Sequence, residues 1–121
     1  MPYKLNVNTA GGYVMVEHYG VTNLDESIEV GQTALQLAME QNLSRIFIDI
    51  SRIEGKPAII DLFLSTKYHA ENAPVRLKAA MLGRPDQEPD MGFIETVGVN
   101  RGMYIKVFID RTAALAWLAG E

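Results

Sequence analysis

The chain has 121 residues, of which 48% are hydrophobic and 21% charged, a composition typical of one ordinary globular domain covering residues 1–121. The net charge of −4, with no basic tract, argues against nucleic-acid binding, and the lack of cysteine excludes disulfides, thiolate catalysis and cysteine–zinc sites. No apolar run reaches the roughly 18 residues of a membrane span and no signal peptide is evident, so we expect a cytoplasmic protein.

The first two elements are predicted to be strands joined by a hairpin. Residues 3–8 alternate between apolar and polar side chains, which is typical of a strand with one buried face. Gly11 and Gly12 can adopt the positive φ angles of a tight turn, and residues 13–19 then form the returning strand. The first strand is therefore expected to pair antiparallel with the second.

Apolar residues change to a helical spacing over residues 23–41. Thr22 followed by Asp25 matches a capping pattern, and acidic residues in the first turn suit the positive end of the helix dipole. Gly31 lies inside this helix, where glycine costs about 1 kcal/mol relative to alanine. We therefore interpret Gly31 as a point of close packing against another element.

The middle of the chain predicts a strand, a helix and another strand. Residues 45–50 are almost continuously apolar, and Pro57 suits the first position of a helix that runs to about Asn72. Residues 76–82 follow as the next strand. We predict that the helix buries a stripe of larger apolar residues, which consists of Ile59, Ile60, Phe63 and Leu64.

A polar segment, a short helix and a final strand and helix complete the chain. The segment at residues 83–90 contains two prolines, and a lid and a partner contact are both open as its role. The short helix is predicted over residues 90–99 and the last strand over residues 103–109. Asp110 is placed to cap the final helix, whose apolar residues recur at helical spacing.

Strands alternate with helices after the hairpin, and this order predicts an α/β fold. The sheet should have about five strands, mostly parallel with an antiparallel N-terminal strand, together with about four helices. We expect the helices to cover one face, because the strands are only partly alternating. A partner protein, a second copy of the chain, or solvent and loops would cover the other face. The charged residues predicted for that face are Lys4, Asp49, Lys78 and Lys106.

Two segments and the order of elements resemble the STAS or SpoIIAA-like family, which includes anti-sigma-factor antagonists and cytoplasmic domains of anion transporters. The segments are residues 46–53 (IFIDISRI) and residues 106–118 (KVFIDRTAALAWL). The similarity is greatest to uncharacterised bacterial members that are grouped with SpoIIAA-like and Sec14-like lipid-binding domains. The resemblance implies a SpoIIAA-like fold and a regulatory role exerted through protein contacts.

The resemblance does not extend to the family's phosphorylation switch. Regulatory members carry an Asp-Ser pair at the start of the helix after the third strand, and a partner kinase phosphorylates the serine. The corresponding place here is residues 55–57 (Gly-Lys-Pro), which has no hydroxyl group, and Ser51 lies nearer the strand. We therefore expect a domain that lacks the family phosphoserine.

Four basic residues are candidates for contact with an anion or a partner protein. Lys56 precedes a predicted helix N-terminus, where free N–H groups favour anions, and Arg52 is close to it in sequence. Arg84 and Arg101 bracket the region after the fourth strand and would add to an anion-binding pocket. Solvated charges and surface salt bridges are the competing explanation for all four.

Other residues that can carry chemistry give weaker signals. His18 and His69, the only histidines, have no metal-ligand spacing and are assigned structural roles. Asp49 and Asp61 are expected to approach one another across a loop, whereas the acidic residues of segment 83–90 lack a calcium-loop pattern. No metal and no cofactor is predicted. The methionines either fill the core or line an adaptable pocket for a lipid-like ligand.

The leading hypothesis is a non-enzymatic SpoIIAA-like module that acts through contact with a protein partner of unknown identity. An enzyme is disfavoured because no set of residues supplies a nucleophile, a base and an orienting group. The alternative is a small protein that binds an apolar, lipid-like ligand or an anionic one. A homodimer is compatible with either hypothesis.

Overall fold

The computed structural model of the chain describes residues 3–73 and 76–120. Within these residues five strands form one sheet, and four α-helices pack against it. The strands are β1 (Tyr3–Asn8), β2 (Tyr13–Gly20), β3 (Arg45–Ile53), β4 (Lys78–Leu82) and β5 (Tyr104–Phe108). The helices are α1 (Leu24–Glu40), α2 (Ile59–Asn72), α3 (Glu88–Asn100) and α4 (Arg111–Ala119).

The strands lie side by side in chain order, from β1 to β5. β1 pairs antiparallel with β2, and every other neighbouring pair is parallel. Because β2 to β5 follow one another in one direction, right-handed crossovers place α1, α2 and α3 on the same face of the sheet. The predicted α/β fold, with its mostly parallel sheet and antiparallel first strand, is confirmed.

Local hydrogen bonds explain how the hairpin turns and where α1 begins. Gly12 has a φ of +72°, and its N–H donates to the carbonyl oxygen of Asn8 at 2.8 Å. The predicted turn therefore forms with a positive φ at the second of its two glycines. Asn23, rather than the predicted Thr22, caps α1, since its Oδ1 accepts a hydrogen bond from the N–H of Glu26 at 2.9 Å.

Several predicted boundaries differ from the structure by one to three residues; β4, for example, begins at Lys78 instead of residue 76. β3 continues past its predicted end to Ile53, so that Ser51 lies within the strand, because the last residues of β3 pair with the end of β2. α2 begins at Ile59 instead of Pro57, after an extended residue that makes no side-chain cap. α3 begins at Glu88, directly after a 3-10 turn in the proline-containing segment.

The face of the sheet that carries α1, α2 and α3, called the first face below, holds two clusters of buried apolar side chains. Residues of α1 pack on β2 and β3, and residues of α3 pack on β4 and β5. α2 lies between these two contacts. The clusters consist of Val14, Val16, Val30, Ala34, Ala38 and Ile46, and of Ala79, Met81, Met91, Ile94 and Ile105.

The opposite face of the sheet, called the second face, is covered by α4. Phe47, Ala80 and Leu82 pack there beneath Ala114 and Leu118. The prediction that the helices lie on one face was therefore wrong for α4. This helix follows the last strand and takes part in no crossover, so the handedness rule does not hold it on the first face.

Two of the charged residues predicted for the second face are buried beneath α4. Asp49, which is 2% exposed, accepts a hydrogen bond from Nη2 of Arg111 at 2.7 Å, at the start of α4. Nζ of Lys78 donates to the carbonyl oxygen of Gly120 at 2.8 Å and lies 4.5 Å from the centre of the Trp117 ring. A cation suits this end of the helix, where the dipole is negative. The other two, Lys4 and Lys106, are exposed.

Candidate ligand-binding site

A cavity of about 440 Å³ lies between the first face of the sheet and the helices that cover it. Its volume falls within the range of about 300–1,000 Å³ that is usual for small-molecule sites. It is also larger than an engineered cavity of about 150 Å³ that binds benzene. Side chains of the strands form a mainly apolar floor, which consists of Val16, Ile46, Ile48, Ile50, Ala79, Met81 and Ile105.

The cavity exists because the inner face of α2 carries short side chains. Ser65, Thr66 and Ala70 line the cavity, and Thr66 is the buried residue of this helix. These side chains do not fill the space above the floor. The larger apolar residues that were predicted to be buried point outward instead, since Ile59 is 60% exposed and Ile60 is 56% exposed. The predicted buried stripe of α2 was wrong for these two residues and also for Leu64, which is 39% exposed.

His69 of α2 closes the gap between α2 and α1. Its Nε2 lies 3.1 Å from the carbonyl oxygen of Ser27, and Nε2 must carry the proton because a carbonyl can only accept. A Cβ at position 31 would overlap the imidazole, so the close packing predicted at Gly31 is confirmed. Burial lowers the pKa of His69, although the Ser27 carbonyl opposes this change. The ring is therefore neutral at neutral pH.

His18 of β2 is the second histidine in the cavity wall. The pKa of His18 is lowered, and burial of the ring is the largest cause. The nearby His69 lowers this pKa further, whereas the negative charge of Asp49 raises it. The imidazole is therefore neutral at neutral pH and has one N–H donor and one acceptor nitrogen. Both histidines belong to the same cavity, which their separation in sequence did not indicate.

The end of the cavity beside the carboxyl ends of the parallel strands is polar. The guanidinium of Arg84 donates to the carbonyl oxygens of Ser51 and of Ile53, the latter at 3.0 Å, and also to the carboxylate of Asp86. The hydrogen bond from Arg84 holds the pKa of Asp86 below its usual value. Arg84 therefore ties the loop after β4 to the end of β3. The charged residues that line this end are Lys56, Asp61, Arg84, Asp86 and Asp90.

The structure brings together two of the four predicted basic residues. Lys56 and Arg84 both line the cavity. Arg52 lies outside it, with its guanidinium carbon 5.6 Å from the centre of a tyrosine ring in β2. Arg101 also lies outside, where it stacks over a phenylalanine ring of α2 at 5.1 Å. The four residues do not converge on one site, and their contact with an anion or a partner stays a prediction.

The predicted approach of Asp49 and Asp61 is wrong, because the two carboxylates lie on opposite faces of the sheet. Asp61 lines the cavity, whereas Asp49 lies beneath α4. Oδ1 of Asp49 accepts hydrogen bonds from the N–H of Ser51 at 2.9 Å and from its hydroxyl at 2.6 Å. The hydroxyl of Ser51 is thus engaged on the second face and lies away from the start of α2.

Within residues 3–73 and 76–120, no group of three or more histidine or acidic side chains has the arrangement of a metal site. Over the same residues, no helix combines the length and the apolar character needed to cross a bilayer.

Sequence reasoning missed the side of α2 that lines the cavity. Leu62, Ser65, Thr66, His69 and Ala70 recur at helical spacing, and this pattern was visible in the sequence. Most of these side chains are small or polar, so a search for the most hydrophobic stripe selects the other side of the helix. The pocket expected from the methionines has partial support, since Met81 and Met103 line the cavity while Met91 is buried in the core.

Comparison with sequence families and with curated proteins found no match. An anti-sigma factor antagonist from Mycobacterium paratuberculosis matches with a TM-score of 0.65 and 13% identity, over 98% of this chain and 93% of that chain. An uncharacterized protein of the DUF3478 family with a SpoIIAA-like fold, from Shewanella loihica, matches with a TM-score of 0.61 and 17% identity, over 96% of this chain and 91% of that chain. The chain therefore has the SpoIIAA-like fold, and the resemblance drawn from the sequence is confirmed at the level of the fold.

Proposed function

We propose that residues 1–121 act as a non-enzymatic binding module whose ligand is a small, mainly apolar molecule held in the cavity. The observation that carries this proposal is a mainly apolar, partly open cavity of about 440 Å³ between the sheet and its covering helices in a chain of 121 residues. Protein interiors are close-packed and contain few voids larger than a water molecule. An apolar ligand would supply the van der Waals contacts that the lining side chains lack.

Occupancy of the cavity would also couple α2 to the sheet. A ligand that fills the space contacts the strands below it and the short side chains of α2 above it. Apolar surface removed from water contributes about 25 cal/mol per Å² to the free energy of binding. Here the buried surface would belong partly to the sheet and partly to α2. Binding would therefore stabilise α2, the helix that carries Ile59 and Ile60 on its outer side.

The Ala70→Phe variant is expected to weaken binding of an apolar probe by at least about ten-fold, because its ring would occupy the cavity. Fluorescence titration with N-phenylnaphthylamine measures this affinity. Ala116→Phe is the matched control, since Ala116 is an exposed residue of α4 on the second face. If Ala70→Phe and Ala116→Phe bind the probe equally well, the cavity is not its binding site and the proposal fails.

A protein-interaction role is the second candidate function. It is supported by the likeness in fold to a protein described as an anti-sigma factor antagonist. It is also supported by Ile59 and Ile60, which are exposed close to Lys56 at the start of α2. A partner that covered these side chains would remove large apolar groups from water. A second copy of the chain and an unrelated protein both fit this description.

The Ile60→Asp variant is expected to abolish such an association, because a buried carboxylate without a partner group is strongly unfavourable. Light scattering measures the homodimer, and affinity purification from the native host with mass spectrometry measures a different partner. Met39→Asp is the matched control, since Met39 is an exposed apolar residue at the C-terminal end of a different helix, α1. An association that Ile60→Asp and Met39→Asp reduce to the same extent contradicts this second function.

A further inference from the structure

The polar end of the cavity already carries the protein's own negative charges. α1, α2 and α3 all begin at this end, because each helix follows the carboxyl end of a parallel strand. Helix N-termini favour negative charge, and here each first turn holds at least one acidic side chain. These side chains are Asp25 and Glu26 in α1, Asp61 in α2, and Glu88 and Asp90 in α3. The helix dipoles therefore offer little further attraction to an anionic ligand.

Asp61 and Asp90 line the cavity itself. Over residues 3–73 and 76–120, neither carboxylate takes part in an ion pair, since all the pairs found there involve other acids. An anionic group placed in the polar end would meet both of these negative charges. Like charges in a partly buried site repel one another more strongly than they do in water.

The basic residues at the cavity do not offset these carboxylates. Arg84 is engaged with Asp86 and with backbone carbonyls of β3. The guanidinium carbon of Arg76 lies 5.3 Å from the centre of the Tyr104 ring, which belongs to the second face. Lys56 is exposed to solvent. Within residues 3–73 and 76–120, both arginines that line the cavity are therefore engaged with groups other than a ligand.

His18 is the polar group of the cavity wall that is best placed to bind a ligand. Within residues 3–73 and 76–120, the histidine hydrogen bond that is found belongs to His69 and not to His18. In the same residues the buried polar atoms without a partner are Oε2 of Glu26 and Nδ1 of His69, whereas His18 lines the cavity. The imidazole can both donate and accept one hydrogen bond.

We propose that the cavity selects a neutral amphiphile, with its hydroxyl group hydrogen-bonded to the imidazole of His18, and rejects the carboxylate of the same chain length. This inference rests on the proposed ligand-binding function and names the class of ligand. A hydroxyl both donates and accepts, as the neutral imidazole does, whereas a carboxylate can only accept. The carboxylate would also meet the negative charges of Asp61 and Asp90, while the arginines of the cavity are already engaged with other groups.

Displacement of N-phenylnaphthylamine by decanol and by decanoate at neutral pH tests the selection. We expect decanol to bind at least about ten-fold more tightly. Equal or tighter binding of decanoate overturns the inference and favours an anion site at Lys56 and Arg84, while the proposed apolar-ligand function stands. A protein that binds neither the probe nor either amphiphile contradicts the proposed function itself.

The His18→Leu variant tests the hydrogen bond. Its affinity for decanol should fall about five-fold, as expected for one neutral hydrogen bond, while its affinity for the probe changes less than about two-fold. In the unaltered protein, addition of decanol should shift the imidazole nitrogen resonances of His18 more than those of His69, which keeps the inference testable if the variant does not fold. Unchanged decanol affinity in a folded variant, or no shift at His18, overturns the role of this residue.

The Asp61→Asn/Asp90→Asn double variant tests the rejection of anions. Removing both negative charges should tighten decanoate binding by about three-fold or more and leave decanol binding unchanged. An equal change for the two amphiphiles would show that the substitutions alter the shape of the cavity and would contradict the electrostatic origin of the selection.

Discussion

The Arg111→Met variant is expected to lose about 2–3 kcal/mol of the free energy of unfolding, because it leaves a buried carboxylate without its cation. Asp49 is 2% exposed and accepts a hydrogen bond from Arg111 at 2.7 Å. The side chain of Arg111 is 47% exposed, so the loss should be smaller than the about 3–5 kcal/mol of a fully buried pair. Methionine keeps an apolar stem over the ring of Phe47, which the guanidinium carbon approaches to 5.3 Å. Urea unfolding followed by circular dichroism measures the change.

Two further variants separate the ion pair from general effects of losing a cation. Lys106→Met removes an exposed lysine from the same face and should change stability by less than about 0.5 kcal/mol. The Asp49→Asn/Arg111→Met double variant removes both charges and should recover part of the loss, because no buried charge is left unpaired. If Arg111→Met is no less stable than Lys106→Met, the pair does not hold the start of α4.

The Gly31→Ala variant should lose about 1–3 kcal/mol of the free energy of unfolding, as is usual for an overpacked site. At an open helical position the same change normally stabilises by about 1 kcal/mol. The opposite sign is expected here because the new methyl group would overlap the imidazole of His69. Moving this ring away would also break its contact with the carbonyl oxygen of Ser27 at 3.1 Å. Urea unfolding at neutral pH measures the effect.

Gly92→Ala is the matched control for Gly31→Ala. Gly92 also lies in a helix, α3, but a Cβ there would meet no atom within 4 Å. It should stabilise the protein by about 0.5–1 kcal/mol. In a His69→Ala background, Gly31→Ala should no longer destabilise, so the two substitutions should couple in a double-mutant cycle. Additive effects would contradict the packing of His69 against Gly31.

Local patterns were sufficient to predict the strands of the sheet and their directions. Residues 3–8 alternate in burial along β1, as their alternating polarity indicated. The glycines at the turn predicted an antiparallel return, and Gly12 does adopt a positive φ. Each later strand is separated from the next by a helix, and such a connection has one preferred hand. The direction of each strand therefore followed from the order of elements, whereas the order of the strands across the sheet was not predicted.

The same method assigned α2 correctly as a helix but chose the wrong side of it. Ile59 and Ile60 are its most prominent apolar residues, and both are exposed. A hydrophobic stripe predicts the buried side only when the helix packs directly on the core. α2 instead lies above a cavity, and its inner side carries residues such as Ser65 and Thr66. The assumption of a filled interior caused the error.

The candidate site was beyond the reach of sequence patterns for a related reason. His18 and His69 had no metal-ligand spacing, and nothing in their neighbours indicated that they line one cavity. Of the predicted basic residues, Lys56 and Arg84 reach this cavity and Arg52 does not. Which residues line a cavity depends on where three helices settle against the sheet, and spacing within one helix does not report this.

The order and type of the strands and helices could be read from the amino-acid order, because hydrophobic spacing and turn chemistry act over a few neighbouring residues. The SpoIIAA-like fold was indicated by the resemblance of two segments to that family. The cavity, the packing of His69 on Gly31 and the pairing of Arg111 with Asp49 could not be read from the sequence. These features join residues that are far apart along the chain. They form only when the helices dock, because docking sets which side chains meet and how much space stays between them.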